Sequence, residues 1–106
     1  MAQIVWTEPA LNELDEIADF IALDKFNAAQ KLVQSVFDRV EQLKDQPKSG
    51  RIPPELPKNS IYREVIVGPC SVFYRTEKSK IIIIYVMRSE RVLRKFLLEE
   101  RAGPES

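Results

Sequence analysis

Arg63, Glu64, Ser71, Tyr74 and Arg75 fall within one short stretch, Ile61 to Thr76, whose other residues are mainly apolar or β-branched. A guanidinium grips phosphate through a fork of charge-assisted bonds, and a neighbouring hydroxyl or carboxylate can give or take a proton. Such a group could run metal-free cleavage of a phosphodiester, with Arg63, Ser71, Tyr74 and Arg75 as the candidate catalytic residues. A second set of bases follows at Arg88, Arg91, Arg94 and Lys95, with Glu90 as the one acid among them. This is the most basic short stretch of the chain, and it suits contact with an anionic surface. The plain alternative is that these arginines are solvated charges on a sheet and a helix, and that the Ser71 hydroxyl bonds to Glu64 or to water.

Other chemistries are excluded by composition. The chain has no histidine, which removes serine and cysteine triads and nearly every zinc site. Its single cysteine, Cys70, forms neither an internal disulfide nor a metal site, and three glycines cannot build a phosphate-cradling loop. No metal and no cofactor are expected.

Three strand-like runs must position the arginines. Ile61 to Val67 and Cys70 to Thr76 are broken by Gly68-Pro69 and read as a β-hairpin, and Ile81 to Met87 follows the polar turn Glu77-Lys78-Ser79-Lys80. A two-residue Gly68-Pro69 turn sets Val67 opposite Cys70 and Glu64 opposite Phe73, placing Glu64, Ser71 and Arg75 on one face. The run Ile81 to Met87 is apolar without alternation, so it is expected to be central and covered on both sides.

The first half reads as cover for that sheet. A short strand, Ala2 to Trp6, leads into a helix capped by Thr7, with Glu8 and Pro9 in its first turn and a stripe of Leu11, Leu14, Ile17, Ala18 and Ile21 running to about Leu23. A second helix is expected from a capping box at Asn27 and Gln30, with Ala29, Leu32, Val33, Val36, Phe37, Val40 and Leu43 in its stripe to about Gln46. Phe20, Phe26 and Phe37 are expected in the core or in hairpin packing. Pro47 to Lys58 is a proline-rich loop in which Arg51 reads as a solvated charge or, alternatively, as a phosphate or partner contact at the rim of the sheet. Ser89 caps a last helix reaching Glu100, and 101–106 is expected to fray. The expected fold class is α+β: a small antiparallel sheet in β-α-α-β-β-β-α order, with an αα-hairpin on one face and a C-terminal helix, in one domain spanning 1–106 with its core at about 2–100.

Net charge is +0 in a chain of 106 residues, yet it is divided: residues 1–46 carry −5 and residues 47–106 carry +5. The N-terminus lacks the basic start and apolar core of a signal peptide, and no apolar stretch reaches membrane-spanning length. A cytoplasmic protein without a membrane partner is expected.

The order of these features resembles the RelE/ParE superfamily of bacterial type II toxin-antitoxin toxins, over roughly Ile4 to Phe96. The matching residues are Val5-Trp6 with Ala10, Leu14-Asp15-Glu16-Ile17, Ala28-Ala29, Leu43 to Pro47 with Gly50-Arg51, Arg63-Glu64-Val65, and Val72-Phe73-Tyr74-Arg75. The Arg-Glu-Val and Val-Phe-Tyr-Arg pair looks most like the ParE branch. That resemblance implies a growth-inhibiting, plasmid-stabilising toxin that poisons DNA gyrase without being an enzyme. It also implies neutralisation by a cognate antitoxin in a hetero-oligomer, with Arg88, Arg91, Arg94 and Lys95 on the target-binding side. The RelE branch implies the alternative, a metal-independent endoribonuclease cutting mRNA on the ribosome. Its members place an arginine before the Val-Phe-Tyr motif, where this chain has Ser71. A third alternative is a degenerate member that only binds its antitoxin.

Overall fold

A computed structural model describes residues 2–88. Strands β1 (Gln3–Trp6), β2 (Tyr62–Val67), β3 (Cys70–Glu77) and β4 (Lys80–Arg88) form one sheet in the order β1-β4-β3-β2, and helices α1 (Glu8–Ala22) and α2 (Phe26–Glu41) make a hairpin on one face. The fold is α+β, in the expected order of elements. The expected last helix, Ser89 to Glu100, and the frayed 101–106 lie outside the described residues.

The β2–β3 hairpin follows from its turn. Gly68 takes φ 55, the positive value that a two-residue hairpin loop with Gly first demands, and Val67 pairs with Cys70 and Glu64 with Phe73 as the sequence predicts. β3 and β4 are also antiparallel, but β1 runs parallel to β4, with Gln3 beside Lys80 and Trp6 beside Ile83. The expectation of a wholly antiparallel sheet is therefore corrected at that edge. The antiparallel hairpins need only tight turns, whereas the long α1–α2 connection carries the chain from β1 to β2 at the opposite edge in the same sense, so that β4, two hairpins later, runs parallel to β1.

β4 is central and covered on both faces, as its unbroken apolar run predicts. Ile81, Ile83 and Val86 face Leu14, Leu32, Val36 and Val40 of the helices, while Ile84, Tyr85 and Met87 join Phe73 and Leu56 on the opposite side. A bulge makes this possible: Phe73 pairs with Tyr85 but Tyr74 pairs with Ile83, so Ile84 is an extra residue and the inward set shifts from odd to even positions.

The helix boundaries show which local signals count. Thr7 accepts a bond from the Ala10 N–H at 3.3 Å and donates its hydroxyl to the Ile83 carbonyl at 2.7 Å, so the cap also ties α1 to β4. The expected Asn27 capping box is not formed. α2 already begins at Phe26, and Lys25 stands at the cap position without a side-chain bond. The expected end near Gln46 is also shortened, since the α-helix stops at Glu41 and a 3-10 turn follows at Gln42–Lys44.

Candidate functional site

Strand parity divides the arginines of the sheet. Arg63 pairs with Tyr74, while Ser71 pairs with Ile66 and Arg75 with Tyr62. Alternate residues face opposite ways, so Tyr74 and Arg63 lie on the helix side with Val65 and Val72, and Ser71 and Arg75 lie on the far side with Phe73. The four candidate catalytic residues are thus two pairs separated by the thickness of the sheet.

Each pair has its own surroundings. The fully buried Tyr74 hydroxyl accepts a bond from the Gly50 N–H at 3.0 Å and donates to the Pro47 carbonyl at 2.7 Å. Arg63 donates through Nη1 to the Gly50 carbonyl at 2.8 Å. Together they hold the loop that follows α2 against the sheet. Burial raises the Tyr74 hydroxyl above its ordinary 10.0, against the smaller opposing effects of the Gly50 bond and the charges of Arg63 and Arg39. A phenol held neutral in this way, with its proton committed to a carbonyl, is a structural clasp. On the far face Ser71 and Arg75 are both buried, and the Arg75 guanidinium lies 3.6 Å from the Glu77 carboxylate.

Arg51 is exposed, as a solvated loop charge should be, but it is also paired. Its Nε lies 2.8 Å from Oε1 of the buried Glu64, and the two residues also exchange backbone bonds of 2.9 and 2.7 Å. An isolated bridge, Arg51 to Glu64, thereby covers part of the β2 edge.

The basic end begins differently from its expected place on a helix. Arg88 is the last residue of β4 and is partly buried, with its guanidinium carbon 5.1 Å from the centre of the Phe20 ring. It stands on a cleft of about 430 Å³ lined by Glu13, Phe20, Tyr85 and Met87 among others. Arg91, Arg94 and Lys95 lie outside the described residues.

Two features were missed in the sequence. Glu13 accepts the Val86 N–H at 2.9 Å, supplying an acceptor to β4 beyond the end of the short β1. Nothing in a solvent-facing acid of a helix announces that bond. The expectation that Phe20 and Phe26 pack inside is overturned: they are 59% and 63% exposed, and Leu23 between them is 85% exposed. Phe20 stands off the apolar stripe of α1, a signal that could have found it, whereas Phe26 keeps helical spacing with Ala29 and Val33 and is exposed at the first residue of α2. Phe37 does pack, with its ring centre 5.1 Å from that of Trp6.

Among the described residues no group of three or more metal-ligating side chains converges, and no helix is long and apolar enough to cross a membrane.

A sheet of this order with an αα-hairpin on one face defines a class of small α+β domain that other solved structures share. One is a chain of the "Chromosomal ParDE TA system from P. aeruginosa", with a TM-score of 0.71 and 28% identity, covering 85% of this chain and 98% of that one. No curated protein sequence matches. The model of the family described as "ParE toxin of type II toxin-antitoxin system, parDE" matches residues 4–93. The chain belongs to that family of toxins.

Proposed function

We propose that this toxin arrests bacterial growth by inhibiting DNA gyrase and is held in check by a cognate antitoxin. Membership of the ParE family supports the reading, and so does the similarity to a chain from the ParDE TA system of P. aeruginosa. The observation that carries it against nuclease chemistry is the division of the sheet residues. Arg63 and Tyr74 are engaged with the Pro47–Gly50 backbone on one face, while Ser71 and Arg75 are buried on the other. Such pairs do not converge on one phosphate, and general acid–base catalysis needs its groups within hydrogen-bond reach of the reacting atoms. Acting by binding, the toxin requires no catalytic constellation.

Target contact is proposed for the basic end, Arg88 with Arg91, Arg94 and Lys95, the most basic short stretch of the chain. Inducing the chain in bacterial cells should stop growth while leaving bulk mRNA intact. Adding the acidic product of a neighbouring antitoxin gene should restore growth. Rapid mRNA cleavage on induction would instead favour the nuclease branch.

A further inference from the structure

The tip and outer face of the α1–α2 hairpin expose apolar side chains, of which Phe20 alone among the three largest meets a described partner, Arg88. Phe20, Leu23 and Phe26 are 59%, 85% and 63% exposed, whereas the inner faces of the same helices bury Leu14, Leu32, Val36 and Val40 in the core. Beside Phe26 a groove of about 390 Å³ runs between the helices, lined by Ala18, Ala22, Ala29, Val33 and Asp19 among others. Alanines at these places let a backbone approach closely, and a shallow trough between two helices with an aromatic at one end suits a third helix laid into it.

Charge selects the occupant. α1 carries Glu8, Glu13, Asp15, Glu16 and Asp19 and no lysine or arginine, and the turn adds Asp24 against the single base Lys25. Asp15 and Asp19 are one turn apart, on the same side of α1 as Ala18 and Ala22. A second copy meeting this surface about a two-fold axis would set these carboxylates against their own equivalents, which is unfavourable. A helix whose apolar stripe is flanked by lysine or arginine gains on both counts, burying Phe26 and Leu23 and answering the acidic rim.

We propose that this hairpin face docks a basic amphipathic helix of a partner protein, with Leu23 and Phe26 as apolar anchors and Asp19 and Asp24 as the charge selectors. This goes beyond the gyrase reading and stands on the hairpin alone, so a negative result with gyrase leaves it untouched.

The test uses the full chain and two labelled synthetic helices that share one leucine stripe, one flanked by lysine and arginine and the other by glutamate, read by fluorescence anisotropy. The basic helix should bind at least about tenfold more tightly than the acidic one. Leu23→Ser and Phe26→Ser should each weaken it by about tenfold, and Asp19→Lys with Asp24→Lys should erase the preference between the two. The melting temperature of each variant should match the parent's, because the altered side chains are exposed. Equal affinity for both helices, no affinity for either, or binding indifferent to Leu23→Ser and Phe26→Ser would overturn the proposal. So would sedimentation showing a parent dimer that Leu23→Ser converts to monomer, which would give the face to a second copy.

Discussion

Tyr74 and Gly50 meet at a contact too close for any side chain. A Cβ added at Gly50 would lie 2.6 Å from the Tyr74 hydroxyl oxygen and 2.7 Å from the Glu64 carbonyl oxygen, so glycine here is a requirement of space. Gly50→Ala should cost about 1–3 kcal/mol in chemical denaturation, the range for overpacking a tight interior. Tyr74→Phe keeps the ring but strands the Gly50 N–H and the Pro47 carbonyl, and should cost about 1–3 kcal/mol at neutral pH. It should also change the alkaline limb. Burial raises the folded hydroxyl above the 10.0 that applies when it is free, so the neutral phenol favours the folded state. That contribution is whole below the unfolded value and is lost as pH rises through the folded one. As pH rises above about 10 the parent should therefore lose stability more steeply than Tyr74→Phe, an outcome that urea titrations at increasing alkaline pH would read. Equal slopes would mean that the clasp contributes nothing linked to its proton.

The elements owe their register to turns, and one turn carries a misfit residue. Lys78, at φ 57 between β3 and β4, occupies a left-handed conformation that a side chain disfavours by roughly 1 kcal/mol. Lys78→Gly should raise stability by a few tenths to about 1 kcal/mol, as a higher urea midpoint with an unchanged slope. Local signals of this kind made much of the fold legible. Gly68-Pro69 set the β2–β3 pairing, Thr7 set the start of α1, and the unbroken run at Ile81 to Met87 marked the doubly covered strand. The parallel pairing of Gln3–Trp6 with β4 was not legible, because it joins residues far apart in sequence and neither strand encodes its direction. Nor was the bulge at Ile84, which changes the inward set without changing composition. Of the candidate site, the sequence singled out Arg63, Ser71, Tyr74 and Arg75 by type. Their division was already implicit in the Gly68-Pro69 register, since an odd offset sets Tyr74 behind Arg75. What Tyr74 and Arg63 grip could come only from the path of the 47–50 loop.

Across the whole molecule, charge is arranged rather than absent. The net value of zero divides into an acidic hairpin and a basic second half, so the protein can present different surfaces to partners of opposite sign. The basic stretch from Arg88 to Lys95 is where loss of function should appear without loss of fold. Arg88 also stacks on Phe20, a contact worth about 0.5–1 kcal/mol, so its removal would mix two effects. The triple change Arg91→Ala, Arg94→Ala and Lys95→Ala is cleaner. It should weaken growth arrest by about tenfold in inducer dose while circular dichroism shows an unchanged melt. The most direct measurement adds the purified chain to DNA gyrase with relaxed plasmid and, in parallel, to a cell-free translation reaction. Supercoiling should fall as the chain is titrated while translation proceeds and its mRNA remains whole. Undiminished supercoiling together with cleaved mRNA and arrested translation would contradict action on gyrase.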